Sequence, residues 1–596
     1  MKSFLKYTFA TIVGIILSTI IGFFIFMGVI SAIVTSGENK DVKVKTNSVL
    51  KIDFKNGIID RKSKNPFNNF NFTNIAANNK LGLIDIINSI KKAKTDKNIK
   101  GIYLNLSAIP AGIASVEEIR NALLDFKDSK KFIISYSDLY SLKSYYLSTV
   151  ADKIYLNPQG LIDFKGLNAE IMFYKGALEK LGIEPQVIRH GKFKSAVEPF
   201  ILDKMSDANR KQTLTYMNSI WDYLLKGISK ERKIPVDSLN KYADNLTIDN
   251  AKMAVKYKFI DDVKYKDQII AKLKELTGTK PKDNQNYILI KDYIKNINNG
   301  KIKELEKLKN LKKDKIAVIY ATGEIGMGQG DEQKIGSDGL SAAIREARLD
   351  TTVKAIVLRV NSPGGSALAS EVIWREMYLA KKVKPVIVSM GDVAASGGYY
   401  ISCPANKIFA SPVTITGSIG VFGILWNTQK LLNDKLGITV DNVTTNTNSG
   451  LGSIYRPLTG YERSVIKKGV EDIYDSFLTH VSEGRKQTKA QIDSIGQGRV
   501  WSGINAKKIG LIDEFGGLTA AIEEAKKQAN IKDYAILNLP KQKDIFDELL
   551  KDFSGQIKTS ILKKSLGVDY KYFNNIKKAT EIKGIQARLP YSIEFY

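Results

Sequence analysis

The hydrophobic pattern of this chain changes character along its length. Tyr7 to Val34 carries no charged side chain and is dominated by Ile, Phe, Gly and Val. At about 1.5 Å per residue this run exceeds the roughly 20 residues that cross a bilayer, so it predicts a transmembrane helix. Lys2 and Lys6 precede it, and the positive-inside tendency then puts residues 1–6 in the cytoplasm and everything after about Gly37 on the other side. The apolar core of a cleavable leader usually spans only about 7–15 residues, so an uncleaved anchor is the expectation.

Beyond a polar linker at 35–46 the pattern becomes that of a globular α/β chain. Val49 to Phe54 alternates like a strand, while 80–95 and 115–127 carry helical apolar spacing free of Gly and Pro. The later part repeats the scheme, with strands at 316–320, 355–360 and 385–389 and helices at 339–348 and 367–381. Asn361 to Gly365 reads as a turn between the strand and the helix that flank it. Strand–helix alternation of this kind predicts mostly parallel sheets. The resulting division is a first domain at 47–299, a solvated Lys/Glu helix at 300–313, a second domain at 314–545 and a tail at 546–596 from which nothing is read.

The two domains are copies. Ile99-Lys-Gly-Ile-Tyr-Leu-Asn-Leu-Ser107 matches Val353-Lys-Ala-Ile-Val-Leu-Arg-Val-Asn361, and Ala151-Asp-Lys-Ile-Tyr155 matches Ala405-Asn-Lys-Ile-Phe409. An offset of 254 residues holds at 99 and 353, at 145 and 399, and at 151 and 405. Phe259-Ile-Asp261 and Leu511-Ile-Asp513 extend the echo to each domain's end. The copies have lost different things. Gly391-Asp-Val-Ala-Ala-Ser396-Gly-Gly-Tyr-Tyr400 carries a serine before two glycines where the first copy has Leu142. Lys194 of the first copy falls opposite roughly Ser449, with no lysine nearby. A nucleophile in one half and a base in the other predict one composite site.

Composition narrows the function without naming it. The chain has 596 residues, too many for one core, and a duplicated pair of domains fits. Its net charge of +28 comes from lysines scattered along the whole length, which argues against a nucleic-acid role and is compatible with anionic lipid. Cys403 is the single cysteine, so no intrachain disulfide forms, and two histidines with nothing metal-binding around them predict no metal site.

The candidate chemistry is nucleophilic. Ser396 follows an apolar strand, and Gly397-Gly398 lets the chain turn tightly with backbone N–H groups beside the hydroxyl. Asn361-Ser-Pro-Gly364-Gly365-Ser is a second glycine turn at a strand end, where α/β sheets place ligands. Neither His190 nor His480 sits in a glycine-rich or acidic motif. His190-Gly-Lys192-Phe-Lys194-Ser-Ala-Val-Glu-Pro199 offers a lysine instead, and burial can lower a lysine's pKa until it serves as a base.

Five segments taken together carry a family resemblance: Gly391 to Tyr400, Arg359-Val-Asn-Ser-Pro-Gly-Gly-Ser366, Thr416-Gly-Ser-Ile-Gly-Val421, Lys194 to Pro199 and Gly498-Arg-Val-Trp-Ser502. In their order along the chain they resemble the long, duplicated form of signal peptide peptidase A, also called protease IV. The resemblance runs from the anchor to about residue 530. It implies an α/β fold of tandem Clp protease/crotonase-like domains, a Ser/Lys dyad without histidine, no cofactor, and a bowl-shaped homotetramer. It also implies attachment to the bacterial inner membrane, with the catalytic domains outside the cytoplasm and signal-peptide remnants as substrates. By position, Ser396 resembles the nucleophile, Lys194 the base, Ser418 the serine that orients the lysine, and Gly365 and Gly397 the oxyanion donors. A crotonase-like acyl-CoA enzyme would leave Lys194 idle. A non-catalytic membrane scaffold would have no use for Ser396, Lys194 and Ser418 together.

Overall fold

The computed structural model describes residues 2–38, 43–63, 80–307, 314–542 and 584–589. The chain begins with a 37-residue helix, Lys2–Glu38. The sequence-based anchor falls on this helix, with several of its side chains outside the described residues. Those that are described stand exposed, among them Ile12, Ile15, Ile16, Leu17, Ile20 and Ile21. Among the described residues, no helix is long and apolar enough to cross a membrane. Residues 39–42 of the expected linker lie outside the described residues.

Each half is built on a mostly parallel sheet, and the two sheets share one order over six strands. The first runs Asp262–Val263, Lys153–Ile162, Phe132–Tyr140, Ile99–Asn105, Ser48–Ile52, Tyr287–Leu289. The second holds the same path, Glu514–Phe515, Lys407–Ala410, Val386–Ala395, Val353–Ser362, Lys315–Thr322, Ala535–Leu539, and adds two strands beside Val386–Ala395: Ile415–Gly417, parallel to it, and Val500–Ser502, antiparallel to Ile415–Gly417. The end-of-domain echo has a structural counterpart. Asp261 accepts from the Ile154 N–H at 2.8 Å, and Asp513 accepts from the Ile408 N–H at 2.7 Å.

Coverage on both faces explains the composition of the central strands. In Val353–Ser362 all but Lys354 and Asn361 are buried, which is why its sequence is nearly continuously apolar rather than alternating. The following helix, Ala367–Lys381, starts where the Ser366 side chain accepts from the Ala369 N–H. It buries Ala369, Ile373, Trp374, Met377 and Ala380 at helical spacing, and its span is the one predicted. The expected turn at 361–365 differs: the strand continues through Ser362, and Gly364–Ser366 is itself a short strand. Two glycines show no hydrophobic alternation, so the pairing is invisible in the sequence. The expected 300–313 helix begins earlier, as Ile290–Lys307, and 308–313 lie outside the described residues.

A third, mixed sheet spans the two halves. Its order is Lys334–Gly336, Glu324–Gly326, Gly364–Ser366, Ile585–Arg588, Phe422–Asn427, Glu184–Arg189. The last strand belongs to the first half and pairs antiparallel over its full length with Phe422–Asn427 of the second.

A buried charge cluster also crosses the boundary. Arg359 is fully buried and contacts Asp60 at 2.8 Å and Glu118 at 2.7 Å. Asp60 also accepts from Asn361 at 2.9 Å, and Asp392 accepts from the Ser115 N–H and hydroxyl at 2.9 and 2.7 Å. Burial opposes the charge on Arg359, and the two carboxylates more than offset it. Breaking such a pair by removing one partner costs about 3–5 kcal/mol because an uncompensated charge stays in a dry interface. Asp60→Asn should therefore lower the thermal unfolding temperature of the chain, and an unchanged midpoint would show that the halves do not depend on this cluster.

Candidate active site

Ser396 lies where strand Val386–Ala395 gives way to helix Gly397–Ser402. Its backbone is left-handed, φ 56° and ψ −114°, a conformation that costs a non-glycine residue about 1–3 kcal/mol and turns its hydroxyl out of the strand direction. The geometry is held from both sides, by Ser396 N–H to Gly417 O at 2.8 Å and Tyr400 N–H to Ser396 O at 2.8 Å. The glycines that follow permit close crossing of chains. A Cβ on Gly397 would stand 2.7 Å from Ser370 Oγ, and one on Gly398 2.7 Å from Ser362 O.

Lys194 reaches this serine because its strand has joined the other half's sheet. From Arg189 the chain continues into a loop pinned by His190 N–H to Val421 O at 3.2 Å and Phe193 N–H to Gln497 O at 2.9 Å. Gln212 fastens the loop further, donating to Phe193 O and Ser195 Oγ while accepting from the Val500 N–H. Gly498 makes the room: a Cβ there would lie 2.6 Å from Lys194 Cα.

The two side chains meet. Lys194 Nζ stands 2.7 Å from Ser396 Oγ, 3.1 Å from Ser418 Oγ and 3.2 Å from Ser418 O. Lys194, Ser396 and Ser418 are all fully buried. Among the described residues no carboxylate lies within ion-pair distance of Lys194, and burial pushes its ammonium well below the usual 10.5. A neutral amine has one lone pair and two N–H groups. Ser418 O takes an N–H, which leaves the lone pair free to accept the Ser396 proton. Ser418 is also left-handed, φ 52°, and is fixed by its N–H to Arg499 O at 2.7 Å.

The glycines expected as oxyanion donors are less alike than the sequence suggested. Gly397 adjoins Ser396. Gly365 turns towards Ile325, whose O would lie 2.1 Å from its Cβ, and it is Gly364 whose Cβ would stand 2.7 Å from Gly397 N. The histidines are elsewhere: His190 stacks on Tyr474 at 4.1 Å and His480 on Trp374 at 3.5 Å between ring centroids. Cys403 is buried, and burial raises its thiol pKa, as expected for an inert packing residue. Sequence reasoning did not single out Gln212, Gly498, Asp60 or Glu118. The spacing of Gly498 within a motif already noticed was the one signal available.

A strand-end serine faced by a buried, uncharged lysine defines a hydrolase class that works without histidine. Comparison with known proteins places the chain within it. Peptidase family S49 matches twice, over residues 125–280 and 379–532. Protease 4 of Salmonella typhi is 38% identical over 488 residues, covering 80% of this chain and 77% of that protein. Protease 4 of Haemophilus influenzae is 36% identical, covering 76% and 74%. The chloroplastic serine protease SPPA of Arabidopsis thaliana is 32% identical, covering 86% and 74%. Among solved structures, a mutant ClpP1 from Listeria monocytogenes aligns over 37% of this chain at 17% identity and a TM-score of 0.24, too low to bear on the fold. The chain belongs to peptidase family S49, and that membership implies serine endopeptidase activity.

The depressed lysine has a stability signature. An unfolded lysine keeps its usual value, so between the folded value and 10.5 unfolding takes up a proton and stability rises with pH. Below the folded value both states carry the proton and the dependence vanishes. Relative to Lys194→Met, the wild-type chain should gain stability as pH rises towards 10.5, and parallel stability–pH curves would show that the amine titrates normally.

Proposed function

We propose that this chain is a membrane-anchored Ser/Lys endopeptidase in which Ser396 is the nucleophile and Lys194 the general base. The single observation that carries the assignment is the 2.7 Å approach of Nζ to Oγ inside a fully buried pocket where no described carboxylate compensates the amine. Neutral Lys194 takes the Ser396 proton as Oγ attacks a peptide carbonyl, with Ser418 keeping the amine aimed. The Gly397 N–H, with the Gly364–Gly365 backbone beside it, receives the developing oxyanion. Lys194 then protonates the leaving amine, and on the return it draws a proton from the water that attacks the acyl-enzyme.

The proposed substrates are extended apolar peptides, signal-peptide remnants foremost. The mixed sheet suits them because it can take a peptide strand by main-chain pairing. Tyr7 to Val34 is proposed as the anchor that holds the site near such substrates. Support comes from the uncharged sequence and from apolar side chains standing exposed along helix Lys2–Glu38. With that anchor, the catalytic halves lie outside the cytoplasm, and the homotetramer of the resembling family is the proposed assembly.

Ser396→Ala should abolish both peptide hydrolysis and labelling by a serine-acylating probe, and Lys194→Met should lower kcat/KM by about 10²–10⁴-fold. In the wild type kcat/KM should rise with pH to a plateau reached below 10.5, since only the neutral amine accepts the proton. Unchanged labelling in either variant would refute the assignment. External protease acting on spheroplasts should reach residues after 43, and complete protection would remove the proposed compartment.

A further inference from the structure

The tail, silent in the sequence, supplies a strand at the site. Ile585–Arg588 lies between Gly364–Ser366 and Phe422–Asn427, antiparallel to both, in the middle of the mixed sheet. The register sets Gly364 against Arg588, Gly365 against Ala587 and Ser366 against Gln586 on one side. On the other, Phe422 faces Gln586 and Gly423 faces Ile585. Leu589 N–H donates to Pro363 O at 2.8 Å, and Arg588 pairs with Glu324 at 2.9 Å.

The position of this strand relative to the chemistry is specific. Ala587 is fully buried, and its carbonyl oxygen would lie 2.1 Å from a Cβ on Gly364 and 3.0 Å from one on Gly397. Gly397 is the residue after Ser396, so a peptide carbonyl of the chain itself rests against the backbone beside the hydroxyl. With the strand in place Ser396 is fully buried. A strand held by main-chain bonds on both edges, with one small buried residue next to the nucleophile, has the features of a bound peptide.

We propose that residues 585–589 are an internal ligand of the peptide groove, competing with substrate, and that the groove selects a small residue at the position Ala587 fills. The inference rests on the catalytic reading of Ser396 and adds to it an occupant and a size preference. A tethered ligand competes at an effective concentration in the millimolar range, so it suppresses kcat/KM while saturating substrate restores kcat.

The test compares the detergent-solubilised full chain with a chain ending at Gly584 and with Ala587→Trp, whose side chain the buried position cannot hold. Both variants should hydrolyse a peptide ester with kcat/KM raised about tenfold and kcat nearly unchanged. A synthetic peptide of the sequence Ile-Gln-Ala-Arg-Leu should inhibit the shortened chain competitively, and one with Trp in place of Ala should not. If the strand is only structural, the shortened chain loses activity or melts earlier and Ala587→Trp gives no rise, which overturns the proposal. Failure of the underlying reading looks different: no form would label at Ser396 or hydrolyse the ester. An equal rate in all forms with intact labelling would sink the internal ligand alone.

Discussion

The site depends on keeping an amine uncharged without a carboxylate to compensate it. An ammonium in a dry pocket loses its hydration, and among the described residues no carboxylate pairs with Lys194, so the proton leaves instead. The contacts to Ser418 O and Ser418 Oγ direct the amine but supply no negative charge. An acidic residue placed there for stability would restore the proton and end the base's usefulness. The burial of Lys194 is therefore a functional requirement. It explains why so much main chain, from Val421 to Gln497 and Val500, is committed to pinning one short loop.

Duplication made the arrangement available. Both halves carry the same six-strand order, but the first replaces the serine turn with Ser141-Leu142, where Ser141 caps the helix Leu142–Ser148 and Leu142 is buried as a packing residue. That half has become the lysine's carrier. Its strand Glu184–Arg189 leaves its own sheet and completes the other half's, which fixes the loop relative to Ser396 by six residue pairs. The buried Asp60–Arg359–Glu118 cluster fastens the same boundary on the far side of the strand that leads to Gly364. A hinge at that boundary would move nucleophile and base apart, so packing between the halves and catalytic geometry are one constraint.

Much of this was legible in the sequence because it is local or repeated. The helix Ala367–Lys381 follows from its apolar spacing and its Ser366 cap, and Ser396 and Lys194 stood out because each is missing from the other copy. What escaped is long-range. Asp60 and Arg359 are 299 positions apart, and nothing in the neighbourhood of either names its partner. Ile585-Gln-Ala-Arg588 is too short for periodicity, and its strand conformation comes from edges at 364–366 and 422–423. Gly364 and Gly365 were read as a turn because residues without side chains leave no alternation to see. The two are also not interchangeable: Gly364 packs against Gly397, while Gly365 meets Ile325.

Backbone strain is concentrated at the same place. Ser396, Ser418 and Gln497 all hold a left-handed φ, at 56°, 52° and 52°, and all three flank Lys194 or its loop. Lys233 and Lys486 also have positive φ, but they sit at helix ends, where the left-handed turn satisfies a last carbonyl and the strain is ordinary. At the site each strained residue is instead held by one main-chain bond from a different segment: Ser396 N–H to Gly417, Ser418 N–H to Arg499, Phe193 N–H to Gln497. At about 1–3 kcal/mol apiece such conformations persist only where the surroundings over-determine them. Here the surroundings are the buried central strands of the two sheets and the shared mixed sheet, and their packing stability is what holds a hydroxyl and an amine in reacting distance.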